Sequence, residues 1–207
     1  MVLAETDDIE KPGDLPADQV ENELYNPEFD RRGYIQVYTG DGKGKTTASL
    51  GLAFRALGRG MNVLMILFTK GGDHYGEIYS ARHLSPELSK RFTIVQAGLN
   101  RIVFTKNMKQ EDAIEISNGW EIAKRAIQSG HYDLIIMDEA NIAIDLGLIP
   151  VEEMKEVLRN KPENLEIVLT GRRAHPEIID IAHLVTEMRP IKHYWDIGVK
   201  ARKGIEY

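Results

Sequence analysis

The sequence predicts an α/β domain with a doubly wound, mainly parallel sheet of about six strands. Two observations predict it. From Arg31 onward, short apolar runs alternate with helical patterns, and 207 residues suffice for one such domain but not for two of ordinary size. Strands are read at Tyr34 to Thr39, Asn62 to Phe68, Phe92 to Ala97, Asp133 to Asp138, Leu165 to Thr170 and Leu184 to Met188, each expected to be nearly all buried. Helices are read at Lys45 to Gly58, Glu111 to Ser129, Val151 to Arg159 and Pro176 to His183, with a shorter one at Ala140 to Leu146. In the second helix Ala113, Ile116, Trp120, Ala123 and Ile127 share one face at steps of three and four, which marks core packing rather than a cofactor box. Pro150 and Pro176 fall where a first-turn proline is tolerated.

Composition narrows the chemistry. The chain has no cysteine, so a disulfide framework, a Cys-ligated metal site and a thiol nucleophile are excluded. Neither a secretory leader nor a bilayer-spanning run is read, which points to a cytoplasmic protein without membrane contact. Of the net charge of -6, residues 1 to 30 hold ten acids and one lysine, or -9, leaving +3 for residues 31 to 207. That mild basicity suits a polyanionic small ligand and falls short of the basic face of a nucleic-acid binder. Residues 1 to 30, with Pro12, Pro16 and Pro27 and no apolar period, are expected to be flexible, with residues 31 to 207 as the folded domain. The six histidines show no helical zinc spacing, so no zinc is assigned.

The first strand runs straight into TGDGKGKTT, Thr39 to Thr47, and then into a helix whose apolar positions include Leu50, Phe54 and Leu57. Strand, glycine-rich turn and helix in that order are the context of a phosphate-binding loop. Gly40, Gly42 and Gly44 allow a tight turn whose N–H groups face phosphate oxygens at the positive end of the helix dipole. Asp41, Lys43 and Thr47 complete the loop. Lys45 supplies a point charge to the phosphates, and the Thr46 hydroxyl is placed to join a Mg2+ shell. One departure from G-x-x-x-x-G-K-[ST] is Thr39, where the first glycine usually stands. The predicted architecture is therefore that of a P-loop NTPase (RecA-like) domain binding ATP.

LIIMDE, Leu134 to Glu139, reads as a buried strand ending in two acids at the carboxyl edge of the sheet. Asp138 or Glu139 reaches Mg2+ in this reading; the plain alternative is an acid that caps the next helix. Lys70, Arg172 and Arg173, in loops at the same edge, are candidates for triphosphate contacts. No Gly-x-Ser-x-Gly or HRD segment is present, so acid-base machinery looks sparse and a nucleophile supplied by the substrate fits better.

Taken in order, RGYIQVYTGDGKGKTT, the IIMDE strand end, VLTGR at Val168 to Arg172 and the C-terminal VTEMRPIKHYWDIGVKARKGIEY resemble the corrinoid adenosyltransferases of the cob(I)yrinic acid a,c-diamide adenosyltransferase family. The C-terminal stretch is the most specific of these. The resemblance implies transfer of the 5′-deoxyadenosyl group of ATP to Co(I) of a reduced corrinoid with release of triphosphate, in adenosylcobalamin biosynthesis or salvage. It also implies an ATP bound in reverse sense, an external flavin or flavoprotein reductant, a homodimer, and residues 1 to 30 as a candidate lid. The better-known members carry a Phe-Thr-Trp triplet after the third strand; here Arg101, Ile102 and Val103 stand at the matching positions, with Phe104 next. Phe104 and Trp195 are the candidates for a corrinoid platform. The motifs alone also admit a small-molecule kinase or NTPase, or a nucleotide-dependent corrinoid carrier.

Overall fold

A computed structural model describes residues 32–99 and 109–207. The predicted lid, residues 1 to 30, and the loop with Arg101, Ile102, Val103 and Phe104 lie outside the described residues. In chain order the elements are β1 (Ile35–Thr39), α1 (Lys45–Gly58), β2 (Val63–Phe68), α2 (Gly76–Arg82), α3 (Pro86–Ser89), β3 (Phe92–Ala97) and α4 (Gln110–Gln128). There follow β4 (Leu134–Asp138), α5 (Ala140–Asp145), α6 (Val151–Arg159), β5 (Glu166–Thr170), α7 (Pro176–Ile181), β6 (Leu184–Glu187) and a 3-10 turn, Tyr194–Ile197. The six strands form one sheet in the order β3-β2-β4-β5-β1-β6, and every pairing is parallel.

The sheet is covered on both faces because its central strands alternate. Leu64, Ile66 and Phe68 of β2 join the cluster of α4, α5, α6 and α7, whereas Val63, Met65 and Leu67 join that of α1 and α2. β2 and β4 are buried at every position, as expected of inner strands. β6 corrects the expectation of burial: all four of its residues are exposed, Leu184 at 44%. β3 is mostly half-buried. Both are edge strands, and only position in the sheet distinguishes them from their inner neighbours.

Two helices, α2 and α3, lie where the sequence reads as connection. They are short, and α3 starts through Pro86 in its first turn and Ser85, whose side chain accepts from the Leu88 N–H. The predicted stripe of α4 is buried at Ile116, Trp120, Ala123 and Ile127, while Ala113 is half-buried. In α1 the buried positions are Lys45, Ser49, Ala53, Ala56 and Leu57. Phe54, read from spacing as part of the apolar stripe, is 72% exposed. Small side chains let α1 approach the sheet and leave Phe54 on its flank.

Two glycines separate packing from helix propensity. A Cβ on Gly119 in α4 would lie 2.2 Å from the Ala97 Cβ, whereas one on Gly51 in α1 meets nothing within 4 Å. Gly51→Ala is expected to stabilise by about 0.5–1 kcal/mol through backbone propensity. Gly119→Ala carries the same gain and is expected to lose about 1–3 kcal/mol net through overpacking. Urea midpoints measure both, and shifts of the same sign would contradict the close approach of α4 to β3.

Candidate active site

β1 delivers Thr39 to the carboxyl edge, and the chain turns through Gly40 (φ 93°) and Gly44 (φ 124°) into α1. The turn is clamped from outside. The Gly42 N–H donates to the Met188 carbonyl at 2.7 Å, and a Cβ on Gly40 would sit 2.5 Å from that oxygen. The Gly42 amide is thus engaged by the protein's own backbone. Gly44 offers no side-chain cap, so the amides of Lys45, Thr46 and Thr47 open the helix without intrahelical partners at its positive end. Thr39, in the place of the usual glycine, accepts from the Ala174 N–H at 3.2 Å and ties the loop to the segment after β5.

Lys45 is 8% exposed and its Nζ lies 2.7 Å from the carbonyls of both Gly40 and Gly42. Burial pulls its pKa down, opposed mainly by Glu139. Arg172 approaches Asp41, Nε to Oδ1 3.7 Å. Arg173 instead pairs with Asp145 at 3.2 Å, and Lys43 turns away to the Ile205 carbonyl at 2.8 Å.

Asp138, at the end of β4, is fully buried. Its Oδ1 accepts from Thr46 Oγ1 at 2.8 Å and from Thr170 Oγ1 at 2.6 Å, and its Oδ2 from Lys70 Nζ at 2.6 Å. Although β5 intervenes between β4 and β1, the first turn of α1 reaches across to the acid. Burial lowers the Lys70 pKa, but Asp138 and then Glu139 outweigh it, so the pKa is raised. Glu139 has φ 60° and occupies the N-cap of α5 without a side-chain capping bond, so helix capping is not its role. Its N–H donates to Thr170 Oγ1 at 3.0 Å. Burial, then the Asp138 charge, push its carboxyl pKa up against Lys70, Lys45 and Arg172. Thr69, Glu139 and Arg173 are the non-glycine residues with positive φ among those described, and all three lie in loops at this edge. Backbone strain of about 1–3 kcal/mol each gathers where function is expected.

These loops floor a cleft of about 800 Å³. Its lining includes the P-loop, Lys70, Glu139 and Arg172 together with the apolar Leu50, Phe54 and Leu57 of α1, Leu84, and Trp195 and Ile205 of the C-terminal segment. Trp195 is 66% exposed. Among the described residues no three His, Asp or Glu converge to hold a metal by themselves. The Thr46 hydroxyl with Asp138 and Glu139 suits Mg2+, which takes one or two carboxylates and completes its shell with phosphate oxygens and water.

Residues 31–207 match the family model of the ATP:corrinoid adenosyltransferase BtuR/CobO/CobP. The chain belongs to the ATP:corrinoid adenosyltransferase family. It is 35% identical over 178 residues to the corrinoid adenosyltransferase of Escherichia coli K12, covering 86% of this chain and 87% of that protein. Identity to the corrinoid adenosyltransferase CobA of Salmonella typhimurium is also 35% over 178 residues, with the same coverage of each chain. An uncharacterized Nostoc protein is 40% identical over 183 residues, 84% of this chain, which spans only 48% of that protein's length.

In this adenosyltransferase the C-terminal stretch that carried the resemblance has a physical task. Besides Met188 on Gly42, Lys43 Nζ lies 3.4 Å from Glu206, and the His74 and Tyr207 rings meet edge-on at 5.9 Å. Glu206 also accepts from the Tyr194 hydroxyl and from the Arg202 backbone N–H at 2.7 Å. Lys43, Glu206 and Phe54 were not separable by motif: Lys43 is a variable position of the loop, and its partner lies more than 160 residues away.

Hydrogen bonds from Arg202, then Tyr194, hold the Glu206 carboxyl at about 2 against an ordinary 4.5. A depressed carboxyl pKa contributes its stabilisation fully above pH 4.5 and loses it as pH falls toward 2. The C-terminal segment is therefore expected to loosen across that window, read from Trp195 fluorescence in a Trp120→Phe background. Glu206→Gln removes the transition; an unchanged acid profile in that variant would contradict the contact.

Proposed function

We propose that this adenosyltransferase works by attack of Co(I) of a reduced corrinoid on C5′ of ATP. The cobalt electron pair forms the Co–C bond, the C5′–O bond breaks, and its pair leaves on triphosphate. The observation that carries this reading is a single cleft lined both by the P-loop with its cations and by apolar residues of α1 and Trp195. A departing triphosphate gathers negative charge, and preorganised donors stabilise it without reorganisation. A flat macrocycle needs an apolar wall with an aromatic surface.

In this reading Thr39, Gly40, Asp41, Gly42, Lys43 and Gly44 shape the loop around the triphosphate. Lys45 and the amides of Lys45, Thr46 and Thr47 meet its oxygens, and Arg172 adds charge from the loop after β5. Thr46, Asp138 and Glu139 hold Mg2+, which neutralises phosphate charge when bound. Trp195 is the platform offered to the corrin, and Phe54 faces the same cleft. The corrinoid is reduced from Co(II) to Co(I) by one electron from an external flavin or flavoprotein, since the chain has no cysteine of its own. The homodimer and the lid role of residues 1 to 30 belong to the same proposal.

Lys45→Ala is expected to lower kcat about 100-fold or more by removing charge from the leaving group; normal turnover in that variant would sink the phosphate role. Asp138→Asn and Glu139→Gln are each expected to raise the Mg2+ concentration needed for half-maximal rate. A wild-type metal requirement in both would show that the metal end is misplaced.

A further inference from the structure

Lys70 was one cation among several at the carboxyl edge, yet its position is singular. Its ammonium is 2.6 Å from Asp138 Oδ2 and 3.2 Å from Thr46 Oγ1, so it bridges the two side chains on which a phosphate-bound metal would draw. Its side chain is 17% exposed. The backbone beneath is fixed: Thr69 has φ 60°, a Cβ on Gly71 would lie 2.1 Å from the Gly98 carbonyl oxygen, and one on Gly98 would lie 2.5 Å from the Lys70 nitrogen. Any motion of the charge is therefore motion of the side chain. The Tyr75 ring, 5.8 Å from Nζ, flanks its path.

We propose that Lys70 is a built-in stand-in for the metal, holding Asp138 and Thr46 in the ATP-free protein and excluding a divalent cation until ATP brings one. The inference rests on the reading of Thr46, Asp138 and Glu139 as the metal end of the site. A fully buried carboxylate needs a counter-charge at all times. Of its roughly four lone-pair positions, two are taken by hydroxyls and one by Lys70. A metal arriving alone must push an ammonium off its buried partner toward the carboxylates of Glu139 and Glu77 in the same cleft, and then sit beside it against strong repulsion. A metal arriving on triphosphate brings further anionic oxygens with it, and Lys70 moves onto the phosphates. Metal and ATP thus enter together.

The test is Mn2+ binding to ATP-free protein, read from loss of the free-ion EPR signal, in wild type, Lys70→Met and Lys70→Met with Asp138→Asn. Lys70→Met is expected to bind Mn2+ about 10-fold or more tightly than wild type, and the added Asp138→Asn to erase the gain. Equal affinity in wild type and Lys70→Met overturns the proposal. If Lys70→Met does not fold, the wild-type melting temperature decides: a rise with Mn2+ alone overturns the proposal, and a response to Mn2+ only together with ATP supports it. The metal requirement of Asp138→Asn and Glu139→Gln with ATP present is a separate readout. The Lys70 proposal can therefore fail while the metal reading stands.

Discussion

A carboxylate taken wholly out of water must be met by donors on every side, and Asp138 imposes that condition on its neighbours. Thr46 from the first turn of α1, Lys70 from the segment after β2 and Thr170 from the end of β5 all converge on it. Because each comes from a different element, satisfying one acid ties the P-loop helix and the loop after β2 to the ends of β4 and β5. Glu139, next in sequence, is denied that arrangement. It is left in a left-handed backbone conformation with a raised carboxyl pKa, facing the cations of the cleft. Two adjacent acids thereby acquire different surroundings, one hydrogen-bonded into the scaffold and one lining the cleft.

A second constraint acts on the loop itself. A glycine-rich turn is conformationally permissive, and the chain after β6 removes that freedom by accepting the Gly42 N–H on Met188 and packing its backbone against Gly40. The same C-terminal segment carries Glu206 to Lys43 and places Trp195 in the cleft. One continuous stretch of chain therefore both clamps the P-loop and contributes to the apolar lining of the cleft. A P-loop acting on phosphate alone has no evident need for such a lining.

Much of the architecture was legible because buried strands read as apolar runs between turn residues, and each of the six falls within one residue of its expected bounds. Exposure was not: Leu184 and Val185 look like core residues, and only the edge position of β6 leaves them in solvent. Phe54 failed for a related reason, since its spacing to Leu50 and Leu57 is helical while the helix packs through Ser49, Ala53 and Ala56. The short helices α2 and α3 complete too few turns to show a period. In the site, Lys45, Thr46 and the acid pair followed from local spacing. The different surroundings of Asp138 and Glu139 depended on Thr170 and Lys70, residues brought close only by the fold.

The most direct measurement is an anaerobic incubation with ATP, Mg2+ and chemically reduced cobalamin, following loss of the Co(I) absorbance and identifying the phosphorus product by 31P NMR. The account predicts a light-sensitive Co–C bond formed together with triphosphate. ADP or inorganic phosphate without a Co–C bond would contradict it and assign the cleft to phosphoryl transfer.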